Sequence, residues 1–279
     1  MEDSGVEGDT RQAVNADPPN NSMEPTRPAQ CRGLRAIIAL GGRAAHLEAV
    51  RHRLAPMMAR ITEGAKSKGS QHWLQSLANH HSDAFDRAVH SSDLGQIRWL
   101  SPLETDSFAE YQDQAFLDLV GVKLESLPLT SFWPARGPVW DGLALTSLGA
   151  LLMVEAKANL PELQSPPSHA SPRSASLIRA SLGRAKPSFG APEDADWMSV
   201  YYQYANRLAW LHLLRAENGI PAYLVFLYFS GASEVNGPMS PSGWKSAIQQ
   251  AHRSLKLGSG LLSPYVLEAF VDVADLADA

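Results

Sequence analysis

Residues 138–159 read Pro-Val-Trp-Asp-Gly-Leu-Ala-Leu-Thr-Ser-Leu-Gly-Ala-Leu-Leu-Met-Val-Glu-Ala-Lys-Ala-Asn, two apolar runs separated by Ser147-Leu148-Gly149. Short apolar runs broken by a glycine turn predict an antiparallel β-hairpin. If the hairpin is symmetric about Leu148, Asp141 stands opposite Glu155. Two carboxylates directly across a strand pair repel, and the run Leu151-Leu152-Met153-Val154 places the second strand deep in the protein. Something positive is therefore expected between them. Period-two alternation puts Lys157 on the face of Glu155, with Val154 and Ala156 on the other. A face that gathers Asp, Glu and Lys suits a hard divalent cation, which takes one or two carboxylates and keeps several waters, with an ammonium beside it to orient a water or steady a phosphoryl oxygen.

An Asp followed by Glu-x-Lys on adjacent strands resembles the PD-(D/E)XK superfamily, the restriction-endonuclease-like nucleases. The match rests on Asp141, Glu155 and Lys157, with Pro138 three residues ahead of Asp141 rather than next to it. The resemblance implies an α/β domain with an α-β-β-β-α-β core, in which helices flank a mixed central sheet. It implies Mg²⁺ or Mn²⁺ held by Asp141 and Glu155, Lys157 assisting the attacking water, and nucleic acid, DNA ahead of RNA, as substrate. In such nucleases a helix ahead of the catalytic strands often adds an acid to the metal site; Glu110 is the preferred candidate here, with Asp113 one turn on. Several of these families also carry a Gln and, four residues later, a Tyr on the helix after the Lys strand. Gln203 matches and is counted with the catalytic residues, whereas Arg207 stands where the Tyr would be.

Two readings of other classes compete. A non-catalytic nucleic-acid-binding or regulatory protein on the same fold would need no turnover, and intact acidic and lysine positions argue against it. A carboxylate-pair glycosidase is poorly served by a directly opposed Asp and a lysine two residues from the Glu. A bare Glu-x-Lys is common by chance, so the weight lies in its place at the end of a buried strand.

Length and composition set the frame. The chain has 279 residues, 44% of them hydrophobic, which is ample for one sizeable core. One cysteine, Cys31, excludes an internal disulfide framework and a Cys-cluster zinc site, and points to the cytoplasm. No apolar run predicts a membrane span or a signal peptide. The formal charge of −5 is not that of a protein coated for nucleic acid, so any basic surface must be local.

In chain order, residues 1–30 carry Pro18-Pro19, Asn20-Asn21 and almost no aliphatics, the composition of a disordered tail. Residues 31–100 read as a mainly helical extension. Leu47, Val50, Leu54, Met57 and Ile61 keep helical spacing, and Gly41-Gly42 lacks the remainder of a phosphate loop. His80 and His81 lack a third ligand at zinc spacing. Residues 101–279 form the nuclease-like domain. Phe108, Tyr111, Phe116 and Leu119 predict a helix over 106–119, and 127–133 a first core strand. The Ser/Pro/Gly-rich stretch 164–191, with Arg173, Arg179, Arg184 and Lys186, predicts a flexible basic insertion. Trp197 to Leu211 predicts a helix capped by Asp194 or Asp196 and ended at Asn218-Gly219, with Gln203, Asn206, Arg207 and Trp210 on its opposite stripe. A buried strand over 222–229, a helix around Trp244 to Leu255 and a strand over 265–273 complete the chain.

Overall fold

The computed structural model describes residues 60–62, 64–89 and 94–276. The expected tail over 1–30, Gly41-Gly42 and nearly all of the helix expected from Leu47 lie outside these. Where that helix would end, Arg60–Ile61 is instead a two-residue strand, β1. Then come helix α1 (Gly69–His80), which buries Leu74, Leu77 and Ala78 at helical spacing, and the short α2 (Ser82–Ala88), which buries Phe85. Strand β2 (Ile97–Ser101) and the two-residue β3 (Glu110–Tyr111) precede α3 (Asp113–Val120), which stops at Gly121 with φ +70°. A single turn, α4 (Leu129–Phe132), leads to the hairpin β4 (Gly142–Thr146) and β5 (Leu151–Lys157). Helices α5 (Pro172–Ala185) and α6 (Tyr202–His212), strand β6 (Ala222–Ser230), α7 (Pro241–Ser254) and β7 (Val266–Asp272) follow.

The fold is α/β. Five strands form one mixed sheet in the order β2-β4-β5-β6-β7. The first three run as an antiparallel meander, and β6 and β7 join in parallel, each after a helix. All seven residues of β5 are buried, and their alternation divides the core in two. Leu152, Val154 and Ala156 pack with Leu74, Leu77 and Phe85 of α1 and α2 on one face. Leu151 and Met153 pack with Leu208, Trp210 and Trp244 of α6 and α7 on the other. Among the described residues no helix is long and apolar enough to cross a membrane.

Five expectations are corrected. The stretch 127–133 is not a strand. Pro128 and Pro134 bracket it, and the place beside β4 that it would occupy is held by β2, so it closes into one turn that buries Phe132 and Trp133. For the same reason the break expected at residue 100 does not divide the sheet. The helix expected over 106–119 begins only at Asp113, because Ser107 and Phe108 take left-handed φ of +53° and +52° and turn the chain into β3. The stretch 164–191 is not irregular throughout. Ser171 caps α5, Pro172 sits in its first turn, and Ile178, Leu182 and Ala185 are buried in the core. The helix bearing Gln203 starts at Tyr202, and Asp196 serves a turn before it by accepting from the backbone N–H of Met198.

Gly142 shows how tightly the hairpin is held. A Cβ there would lie 2.8 Å from the Trp99 ring, 3.3 Å from Val154 Cβ and 3.4 Å from Leu74 Cδ2, so Gly142→Ala is expected to cost about 1–3 kcal/mol by overpacking. Urea denaturation measures it; an unchanged midpoint would mean that the two layers have slack at this point.

Candidate active site

The register of the hairpin builds the site. Gly142 pairs with Val154 and Leu145 with Leu151, so the next step outward sets Asp141 across from Glu155, as symmetry about Leu148 requires. Asp141 lies one residue beyond β4 and reaches across to β5, its Oδ2 accepting the backbone N–H of Ala156 at 2.8 Å. Glu155 and Lys157 project to the α6 side of the sheet. Lys157 Nζ donates to Glu155 Oε1 at 2.6 Å and to Gln203 Oε1 at 3.1 Å. Arg207, one turn after Gln203, donates from Nε to Glu155 Oε2 at 2.5 Å and from Nη2 to the Val139 carbonyl at 2.8 Å. Its guanidinium also lies 4.8 Å from the centre of the Trp140 ring. The stripe Gln203, Asn206, Arg207 and Trp210 thus faces the sheet and not solvent.

A cavity of about 310 Å³ opens over this cluster. Asp141, Glu155, Lys157 and Gln203 form one side, and Lys68 with the first turn of α1, Gly69 to Gln71, forms the other. Glu162 also lines it. That residue follows from a signal just past the Lys strand: Asn159-x-x-Glu162 is a capping pair, in which Asn159 Oδ1 accepts the Glu162 backbone N–H and Glu162 Oε2 accepts the Ala158 N–H. Sequence reasoning passed over Glu162 and the start of α1. Nothing local to Lys68 or Gln71 announces them, because α1 reaches the site only by packing on the sheet.

Glu110 stands on β3, not on a helix. The antiparallel bridge between Tyr111 and Trp140 carries it to the position beside Asp141, and Gln71 Nε2 donates to its Oε1 at 3.0 Å. It is linked to the cavity through Gln71, whose side chain lines it, and does not complete a ligand set. Among the described residues no three His, Cys, Asp or Glu side chains gather as a metal-holding group, which applies equally to His80 and His81. Arg136 is an exposed turn residue, its N–H bound to Asp113, and Trp133 and Trp140 are core.

Compared with family models, curated proteins and solved structures, the chain finds no match. Its chemistry therefore rests on the geometry above.

The two carboxyl groups differ in charge state. For Glu155, burial opposes ionisation, but Arg207 and Lys157 outweigh it and hold the group below the usual carboxylate range. For Asp141, burial and then the charge of Glu155 push the carboxyl up to about 7, against the pull of Lys157 and Arg207. Burial works against the charge of Lys157, yet Glu155 and Asp141 raise its pKa above the ordinary value, so it stays protonated at neutral pH. The cluster thus offers a fixed ammonium donor and one carboxyl, Asp141, short of a directly bonded cation among the described residues.

That shortfall has a measurable sign. Because the folded pKa of Asp141 lies above its unfolded value, its ionisation destabilises the fold by an amount absent below pH 4, growing through about pH 4–7 and complete above 7. Asp141→Asn keeps an acceptor for the Ala156 N–H. In metal-free buffer it should leave stability nearly unchanged at pH 4 and raise it at pH 8 by about 1–3 kcal/mol relative to wild type. Equal gains at both pH values would show that Asp141 does not titrate between them.

Proposed function

We propose that this chain is a metal-dependent nuclease that hydrolyses phosphodiester bonds of nucleic acid, DNA in the first place, in the cytoplasm. The observation that carries the reading is the opposition of Asp141 and Glu155 across adjacent strands, with Lys157 bonded to Glu155 inside one open cavity. The order of elements supports it. Helix α1, the meander β2-β4-β5, helix α6 and the parallel strand β6 follow the succession that the PD-(D/E)XK resemblance implies, with α1 and β2 in the places first assigned to 106–119 and 127–133.

The donor set fits a hard cation. Asp141 is a half-buried carboxyl at the cavity wall without a directly bonded cation among the described residues, and Glu155 stands across from it. Asp141 and Glu155 would hold Mg²⁺ or Mn²⁺, which when bound supplies Lewis acidity toward a phosphoryl oxygen and lowers the pKa of water. The protein's own groups do the rest. Lys157, charged and held by Gln203, donates a hydrogen bond toward a phosphoryl oxygen or the attacking water. It is not the proton acceptor. Arg207 fixes the rotamer of Glu155 and is a positioning residue.

One observation favours the non-catalytic alternative: both oxygens of Glu155 are already engaged, by Lys157 and by Arg207. An assay on single- and double-stranded DNA and RNA with Mg²⁺, Mn²⁺ or EDTA separates the two. The nuclease reading expects cleavage in either metal and none in EDTA. Nucleic-acid binding without cleavage in any condition would replace it with the binding reading.

A further inference from the structure

Beside the carboxylate cavity lies a second one, of about 490 Å³, which shares Lys157, Glu162 and Gln203 with it. Its remaining walls have a different chemistry. Pro166, Pro167, His169 and Tyr202 supply flat apolar and aromatic surface, and Gln164 and Asn206 supply amide donors and acceptors. Apart from Lys157 at the shared wall, no lysine or arginine among the described residues lines it. A groove that only tracked a polyanion would carry cations along its length. Here the cationic part ends at Lys157, and the adjoining space has the character of a small-molecule site, apolar with a few placed polar groups.

The walls are preformed. The Ser165 N–H binds the Val200 carbonyl at 2.8 Å, the Ser168 N–H binds the Met198 carbonyl at 3.3 Å, and Ser165 Oγ accepts the Gln203 N–H at 2.8 Å. The segment thus runs pinned against the entry to α6, the helix that brings Gln203 and Arg207 to the acids.

Resting on the nuclease reading, we propose that the 490 Å³ cavity is a nucleobase subsite, receiving one unstacked, unpaired base while the adjacent phosphate lies at Lys157, so that the substrate is single-stranded or has a single-stranded end. Base-paired nucleic acid stacks its bases within the helix and would have to extrude one to fill this space. A single strand presents its bases ready to stack on proline, histidine and tyrosine, and such stacking does not depend on sequence.

Binding, measured apart from cleavage, tests this. Fluorescence anisotropy in EDTA would compare a labelled single-stranded DNA oligomer, the same oligomer with abasic residues throughout, and the blunt duplex. The intact single strand is expected to bind about 5- to 100-fold more tightly than the abasic one, and more tightly than the duplex. Tyr202→Ala should abolish the preference over the abasic strand. Pro167→Asp, an exposed change that leaves the core untouched, should abolish it as well, which guards against a folding defect in the tyrosine variant. Equal affinity for intact and abasic strands, a preference for duplex, or a preference that survives both substitutions overturns the subsite. If Mg²⁺-dependent cleavage persists in that case, the nuclease reading stands without it. If the protein neither binds nor cleaves nucleic acid, both fall.

Discussion

Arg207→Ala is expected to lower the unfolding free energy by about 3–5 kcal/mol, the cost of breaking a buried ion pair by removing one partner and leaving an excess of buried negative charge. Glu155 and Arg207 are almost wholly excluded from solvent, their side chains 1% and 4% exposed. Glu155 accepts from both Arg207 and Lys157, and the Val139 carbonyl also relies on the guanidinium. Removing Arg207 leaves Glu155 with a single cation, opens a gap against Trp140 and frees the carbonyl. Arg207→Lys should recover only part of the loss, because one ammonium cannot span Glu155 and Val139 together. Pairing Arg207→Met with Glu155→Gln should recover more, since no uncompensated charge is then left inside. Urea denaturation of the four proteins gives the comparison. If Arg207→Ala proves as stable as wild type, the ion pair does not organise the site.

Lys157→Ala should reduce Mg²⁺-dependent cleavage about 10²- to 10³-fold, the effect of removing one preorganised donor to a transition-state oxygen. Metal binding should survive it, because Asp141 and Glu155 remain and Glu155 Oε1 is released from its ion pair. The loss should therefore fall in kcat, while Mg²⁺ affinity measured by calorimetry holds or rises. Asp141→Ala and Glu155→Ala should lose both. Cleavage by Lys157→Ala at the wild-type rate would remove the chemical role of the lysine, whereas the nuclease assignment falls only if the wild type itself cleaves nothing.

What the sequence disclosed was what is local. The β4–β5 hairpin has its turn, its apolar runs and its register within twenty-two residues, so the opposition of Asp141 and Glu155 could be placed before any coordinates. The first core strand could not. Residues 97–100 and 127–133 are both short and apolar, and which of them pairs with β4 is settled by contacts far along the chain and by the two prolines around the second. Helix α5 was hidden by composition: serines and arginines between Ile178, Leu182 and Ala185 gave the stretch the look of a linker. Glu110 was legible as an acid near the strands but not as a strand residue, because the turn at Ser107 and Phe108 rests on backbone angles those residues seldom take. Arg207 was visible by its spacing from Gln203. Its depth was not, since an arginine is buried only where a carboxylate and a carbonyl from elsewhere await it.

The sheet also implies an order of assembly. The hairpin closes across four residues, whereas β5 meets β6 through pairs such as Leu151 with Ala222, some seventy positions apart in the chain. Loop closure of the first kind takes microseconds, and parallel pairings over long separations come later. On that order the hairpin would hold Asp141 against Glu155 before α6 delivers the guanidinium that pairs with Glu155. While water still reaches both acids the repulsion is small, and it grows only as the cavity walls close. A charge balance struck that late would mean that disturbances to it hasten the loss of the native state far more than they slow its formation, which unfolding and refolding rates of Arg207→Ala would measure.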